Sequence, residues 1–522
     1  MKIADLKRSL ATFYARDYYS PGFPPIFSTL NFLMSIATSR SDLSHMTPNE
    51  RALFRCEKAL ESKDRGDYSG ARDVMRPLWK RLGEHPNLEG LHPTVAAEVL
   101  FCTGILTGWI GSKEELKEAN EWARDLLTES ITYYESLQDV IRIAAIHAEL
   151  GYCYWRAGAL DEARIWFTEA LKKLTTEGNS RANAVFGLSV VEWSASRFQE
   201  SLRILTENAP LFKKITNHTL KGVYHMQVAM VLRKLASPDK RGAEFRRIIN
   251  EYNEADGHFK QARNTIFRAH VKNNIGNILC DLSRFNEAHE HLEYARRLTV
   301  SAKDKVKTAQ VEESLAQLFI AETKYAEAEA TARHAVKTFE KSGHQSFLAE
   351  ALITHGIALA RLGKTERAQF TIQRAIETAQ EAGSLNHAGI AALTLIEEID
   401  DLSADVLSGA YEQAGEWLSG TQSNALLLRF KAAGNKLAAR LRREARSNVS
   451  EPFFRSLNYK ETILEVEQEL IRRALAEANG SVTYAAPLLG MTYPGLIYVI
   501  QRRHPGLLKD RTPVRRRPRK YV

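Results

Sequence analysis

The chain has 522 residues, too many for one ordinary core, so several domains or an elongated array is expected. Glycine (29) and proline (15) are both scarce, which excludes a turn-rich all-β protein and predicts an all-α one. The net charge is +9, but nine Lys and Arg fall between Arg502 and Val522 against the single acid Asp510; the other 501 residues sum to +1, which excludes a uniformly basic protein and marks a local polyanion-binding end.

In chain order, residues 1–50 are expected to form an N-terminal helical cap. The uncharged stretch Tyr18–Ser39 fails as a membrane span, because Pro21, Gly22, Pro24 and Pro25 break its first half and Ser28, Thr29, Asn31 and Ser35 interrupt the rest. Cys56, Cys102, Cys153 and Cys280 make no CxxC or Cys/His spacing, so reduced structural thiols in a cytosol-type compartment are expected.

From 51 to 420 one pattern returns. In HAELGYCYWRAGALDEARIWFTEAL, Gly151, Tyr154, Gly158, Ala163, Phe167 and Ala170 stand at relative positions 8, 11, 15, 20, 24 and 27 of a helix-turn-helix pair. The offsets recur on Gly276, Leu279, Ser283, Ala288, Leu292 and Ala295, then on Ala316, Phe319, Thr323, Ala328, Ala332 and Ala335, and again on Gly356, Leu359, Gly363, Ala368, Ile372 and Ala375. Small residues at positions 8 and 20 let two antiparallel helices approach, while larger apolar residues at 11 and 24 fill the groove between them. Weaker units centre on Ala59, Gly104, Ser189 and Ala229, making about eight stacked pairs.

This array resembles the tetratricopeptide repeat (TPR) family. The resemblance implies a right-handed superhelix with a concave protein- or peptide-binding groove and no catalysis. In such repeats position 6 or 9 of the first helix faces the groove, which here means Gln227, Asn274, Asn277, Ser314, Gln317 and Thr354. Their amides and hydroxyls suit the backbone of an extended peptide, or simply solvate the face. Asn273 and Glu313 occupy the position where the family's carboxylate clamp has Lys, which disfavours a C-terminal carboxylate as ligand. His289 and His291, two apart on a helix, diverge by about 200° and cannot share one ion. No metal, cofactor or enzymatic activity is expected.

Residues 421–458 form a basic helix and linker: Arg429, Lys431, Lys436, Arg440, Arg442, Arg443 and Arg446 oppose only Glu444, and a break follows near 447–458. Residues 459–504 carry three short helices. The first presents Ile463, Val466, Leu470, Ile471, Ala474, Leu475 and Ala478 on one face and ends at Asn479-Gly480 as a left-handed cap. In the second, Ala485 and Ala486 permit close crossing, Leu488 and Leu489 fill the core, and Pro487 is awkward unless the helix starts as late as Thr483. Thr492 caps the third, Pro494 sits in its first turn, and Leu496, Val499 and Ile500 are buried.

The pattern LIRRAL...NGSVTYAAPLLGMTYPGLIYVI resembles the Fis-type helix-turn-helix that closes many bacterial activators. That resemblance implies a third helix entering the DNA major groove and a dimer formed through the helix Thr462–Ala478. Where the family has Arg or Lys after the cap and along the third helix, this chain has Tyr493, Pro494, Ile497 and Tyr498, which leaves Thr492, Tyr493, Tyr498 and Gln501 for base edges and implies weak sequence discrimination. The tail 505–522 contains RTPVRRRPRK, similar to an AT-hook except that Arg516 stands where that motif has Gly. Phosphate anchoring is therefore expected from Arg502, Arg503, Arg515, Arg516, Arg517, Arg519 and Lys520.

Together these readings imply a cytoplasmic, nucleoid-associated bacterial transcription regulator. Its expected partners are double-stranded DNA and a protein or peptide in the TPR groove, with a homodimer expected and no membrane. The alternative is a TPR scaffold without sequence-specific DNA binding.

Overall fold

The computed structural model describes residues 46–116, 118–236, 241–400, 402–421, 423–447 and 459–509. The expected N-terminal cap falls almost wholly outside these residues, as do the linker from 448 to 458 and the tail from 510, with Arg515, Arg516, Arg517, Arg519 and Lys520. Among the described residues there are 23 α-helices and no strand. Packing divides the chain into two compact units, one running up to 400 together with 413–421, the other combining 401–412 with the residues from 422 onward.

The first unit is an α-solenoid of TPR-like hairpins. Eight pairs follow one another: α1 (Pro48–Asp64) with α2 (Tyr68–Met75), α3 (Pro93–Lys113) with α4 (Ala119–Ser136), α5 (Val140–Arg156) with α6 (Leu160–Lys173), and α7 (Asn179–Ser194) with α8 (Phe198–Glu207). After the short α9 (Ala209–Lys214) come α10 (His218–Leu235) with α11 (Arg241–Gln261), α12 (Thr265–Asp281) with α13 (Phe285–Ser301), α14 (Lys305–Ala321) with α15 (Tyr325–Ser342), and α16 (Gln345–Arg361) with α17 (Thr365–Glu381). Helix α18 (Leu385–Glu398) covers the last pair, and α19 (Ala404–Trp417) crosses the division between the units.

The small and large positions act as their chemistry requires. Ala163, Phe167, Ala170, Ala288, Leu292, Ala332, Ala368 and Ile372 are fully buried. The first-helix glycines are sites of close approach: a Cβ on Gly276 would stand 2.6 Å from Leu292, and one on Gly151 2.9 Å from the Phe167 ring. Position 15 is the turn. Gly158, Ser283, Thr323 and Gly363 have φ of 79°, 57°, 62° and 73°, the left-handed region that closes a helix by returning amides to its last carbonyls. Ser and Thr there cost about 1 kcal/mol each relative to Gly, an expense the cooperative stack absorbs.

Helix α3 is apolar all round, with Val99, Leu100, Leu106 and Ile110 fully buried, and by length and composition it is long and apolar enough to cross a membrane; most of its surface packs inside the solenoid. Cys56, Cys102 and Cys153 are buried free thiols, and Cys280 is half-buried.

The second unit contains α20 (Asn424–Ser447), α21 (Tyr459–Glu477), α22 (Val482–Leu488) and α23 (Tyr493–Arg503), followed by a 3-10 turn, Pro505–Lys509. Along α20 the Phe430 ring stacks on Tyr411 at 4.4 Å, while Lys431, Arg442 and Arg443 are exposed.

Candidate nucleic-acid interface and ligand pocket

Helices α21, α22 and α23 enclose their own core of Ile471, Ala474, Leu475, Val482, Ala485, Ala486, Leu496, Ile500 and Leu507. Local chemistry sets each corner. Helix α21 ends at Asn479 and Gly480, both left-handed at φ 48° and 78°, with Gly480 N donating to Leu475 O at 2.7 Å. Helix α22 ends in the same manner: Met491 N donates to Ala486 O at 2.9 Å and Gly490 N to Pro487 O at 3.0 Å, with Gly490 at φ 64°. Helix α22 starts at Val482, one residue before Thr483, and exposed Pro487 sits in its last turn, where it removes one helical hydrogen bond at a solvent-facing end. Thr492 Oγ1 accepts from Gly495 N at 3.3 Å, so the threonine starts α23.

Two expectations about this core need correction. Ile463, Val466 and Leu470 are exposed, whereas Ile471, Ala474 and Leu475 are buried. At 100° per residue the seven apolar positions of α21 span two adjoining stripes, and so small a unit covers only the second. Leu488 is also exposed rather than in the core, because the left-handed turn after it directs Leu489 and Met491 inward instead.

Helix α23 buries Leu496 and Ile500, with Ile497 and Val499 half-buried, and its opposite face is open. Tyr498 is 61% exposed and Tyr493 43%. The helical period places Pro494, Tyr498, Gln501 and Arg502 on one side, all exposed. Arg503 leaves that row. Its Nη1 donates to Glu467 Oε1 at 3.0 Å, and the buried His504 places Nε2 2.8 Å from Glu467 Oε2, so Glu467 clamps α21 to the end of α23. Arg503 keeps 54% of its side chain exposed while making this ion pair. Tyr484, on α22, is 75% exposed beside this surface and went unnoticed in the sequence.

The expected groove residues of the solenoid do not line one open face. Gln227, Ser314 and Thr354 are buried, Asn274 and Asn277 half-buried, and only Gln317 is exposed. Thr354 Oγ1 and Gln317 Nε2 both donate to Glu313 Oε1, at 2.6 and 2.5 Å. Glu313 lies on α14 and Thr354 on α16, the first helices of consecutive pairs, so these positions fill the seam between neighbouring inner helices. Burial, aided by the Glu350 charge, pushes the Glu313 carboxyl up to about 8.

The cavity lies elsewhere. A pocket of about 260 Å³ is walled by the carboxyl-terminal halves of α1, α3 and α5 and by the amino-terminal parts of α7, α10 and α12. The curl that makes it is fixed by Asp64, whose backbone oxygen accepts from Thr219 Oγ1 and Asn264 Nδ2, both at 2.8 Å, while its Oδ2 accepts from Asn217 Nδ2 at 2.8 Å. Its wall carries the polar groups of Lys63, Asp64, Glu149 and Asn183 and the apolar side chains of Phe186, Val223 and Phe267. The Trp109 ring lies 5.9 Å from Lys63 Nζ and 5.1 Å from the Arg156 guanidinium.

Three histidines also meet where α10 crosses α11: His218 Nδ1 is 3.2 Å from His258 Nδ1, and His225 Nδ1 is 2.8 Å from Glu251 Oε2. Among the described residues no group of three His, Cys, Asp or Glu side chains is placed to hold a metal ion.

Residues 462–502 match the bacterial regulatory protein, Fis family. Residues 462–502 therefore form a Fis-family helix-turn-helix, in a chain that also carries a TPR-like solenoid. No curated protein matches the chain in sequence. Among solved structures, a Rap protein complexed with competence and sporulation factor is 14% identical, with a TM-score of 0.44, covering 65% of this chain and 99% of its own. The apo quorum sensor NprR from B. thuringiensis is 12% identical (TM-score 0.46; 68% of this chain, 92% of its own). A signal-transduction ATPase with a tetratricopeptide repeat sensor from Pyrococcus horikoshii is also 12% identical (TM-score 0.48; 71% and 55%).

Proposed function

We propose that the chain is a DNA-binding transcriptional regulator of bacterial type, in which the TPR-like solenoid receives a protein or peptide signal and the carboxyl-terminal unit holds double-stranded DNA. One observation carries the reading: a Fis-family helix-turn-helix whose third helix is capped by Thr492 and turns Tyr498, Gln501 and Arg502 outward. Thr492 accepts the cap bond and keeps its O–H to donate, so Thr492, Tyr493, Tyr498 and Gln501 are offered to base edges and Arg502 to phosphate. Two tyrosines and one glutamine read fewer donor and acceptor patterns than an arginine pair, and affinity then rests mainly on charge.

In this reading the protein works in the cytoplasm on the nucleoid, acts by binding rather than catalysis, and pairs through the exposed Ile463, Val466 and Leu470 stripe. The exposed Tyr484 and Leu488 favour a second reading, a scaffold that docks a protein on the same unit. Titration of the full chain against labelled duplex DNA decides between them: the regulator binds with an affinity that falls as salt rises, and the scaffold does not bind even at low salt.

A further inference from the structure

The pocket closed by α1, α3, α5, α7, α10 and α12 holds a charge imbalance that packing alone does not need. Lys63 Nζ lies 3.1 Å from Asp64 Oδ1, and Asp64 Oδ2 is satisfied by Asn217. Glu149 is different. It is 8% exposed, and its Oε1 accepts from Asn183 Nδ2 at 2.9 Å. Among the described residues no Lys, Arg or His nitrogen comes within 4.0 Å of its carboxylate. Tyr152 OH lies 3.0 Å from Asn183 O and 3.1 Å from Asn183 Oδ1, and its one proton is shared between them. Burial holds the Glu149 carboxyl above the ordinary value even though the fields of Lys63 and Arg156 favour its ionised form. A carboxylate withdrawn from water with one neutral donor is under-compensated, and a cation beside it would be strongly held.

The remainder of the wall selects what accompanies that cation. Ile105, Phe186, Leu220, Val223 and Phe267 supply apolar wall, and about 260 Å³ lies just below the ~300 Å³ at which ordinary small-molecule pockets begin. Lys63 is paired with Asp64, which leaves Glu149 as the lining carboxylate without an ion pair.

Resting on the reading of the solenoid as the sensing part, we propose that this pocket binds a compact ligand carrying a protonated amine next to an apolar body, the ammonium donating to Glu149 and the body lying against Phe186, Val223 and Phe267. A free amine and the amino terminus of a peptide with an apolar first residue present the same chemistry.

Calorimetric titration of the full chain tests this with 2-phenylethylamine, 3-phenylpropionate, the tripeptide Phe-Gly-Gly and its N-acetylated form. Both amines bind, and neither the carboxylate nor the acetylated peptide does. Glu149→Gln, which keeps the bond to Asn183, weakens amine binding at least about tenfold. Should that variant misfold by circular dichroism, Val223→Phe, which takes up pocket volume, gives the same loss. Tighter binding of Phe-Gly-Gly than of phenylethylamine assigns the ligand to a peptide amino terminus, and the reverse order to a free amine. The proposal is overturned if neither amine binds, if phenylpropionate binds equally well, or if the variants leave amine affinity unchanged. The same preparation is titrated with duplex DNA, so that failure of the regulator reading shows as lost DNA binding and failure of the pocket as lost amine binding.

Discussion

Substituting alanine for glycine has opposite outcomes at Gly187 and Gly257, and the structure gives both signs. Each lies inside a helix, α7 and α11, where glycine costs roughly 0.5–1 kcal/mol relative to alanine. At Gly257 an added Cβ meets nothing within 4 Å, so Gly257→Ala raises stability by about that amount. At Gly187 the added Cβ would lie well inside 3.0 Å of the Phe167 ring. The ring has little room to retreat, since it is fully buried and Tyr152 packs edge-on at 5.0 Å. Overpacking of this kind costs about 1–3 kcal/mol, which offsets the helical gain and leaves a net loss of up to about 2.5 kcal/mol. Urea unfolding of the full chain, followed by far-UV circular dichroism, measures both as shifts of the midpoint in opposite directions. If Gly187→Ala stabilises the protein as much as Gly257→Ala does, the close-packing account of the first-helix glycines is wrong.

Two further outcomes follow from buried charge. The folded Glu313 carboxyl titrates near 8, above its ordinary 4.5, so the folded chain keeps a proton that the unfolded chain loses; stability falls as pH rises from about 4.5 to 8, and Glu313→Gln flattens that fall, measured as urea midpoints at several pH values. Glu467→Ala removes the clamp on Arg503 and buried His504, costs about 1 kcal/mol within the helix-turn-helix, and lowers amide hydrogen-exchange protection across 493–509 but not in α12 or α14.

What could be read from the sequence was what local chemistry controls. Asn479 and Gly480, Thr492 and the small-large spacing of the repeats each act within a few residues of themselves, and the structure shows them doing so. Errors came where a side chain's partner is far away or its helix only partly covered. The contact of Arg503 with Glu467, 36 positions earlier, had no local signal. Ile463, Val466 and Leu470 are as apolar as Ile471, but the three-helix unit has no surface left to cover them. Gln227, Ser314 and Thr354 occupy positions expected to face a groove, and their burial depends on how tightly successive inner helices meet. The pocket was least accessible to sequence reading, since it gathers residues from Leu60 to Phe267 and exists only because Asp64 meets Asn217, Thr219 and Asn264. No spacing rule links positions separated by 200 residues.

The most direct test of the central claim is fluorescence anisotropy of labelled duplex DNA with the full-length protein, compared with a variant carrying Tyr498→Ala, Gln501→Ala and Arg502→Ala together, across a range of salt. These side chains are exposed, so the fold is unaffected. The account predicts that the wild type binds, with affinity falling as salt rises by a log-log slope of about −0.9 per phosphate contacted. It predicts that the variant binds at least about tenfold more weakly with a shallower slope. Equal affinity of the two proteins, or no binding by the wild type at about 50 mM salt, would contradict it.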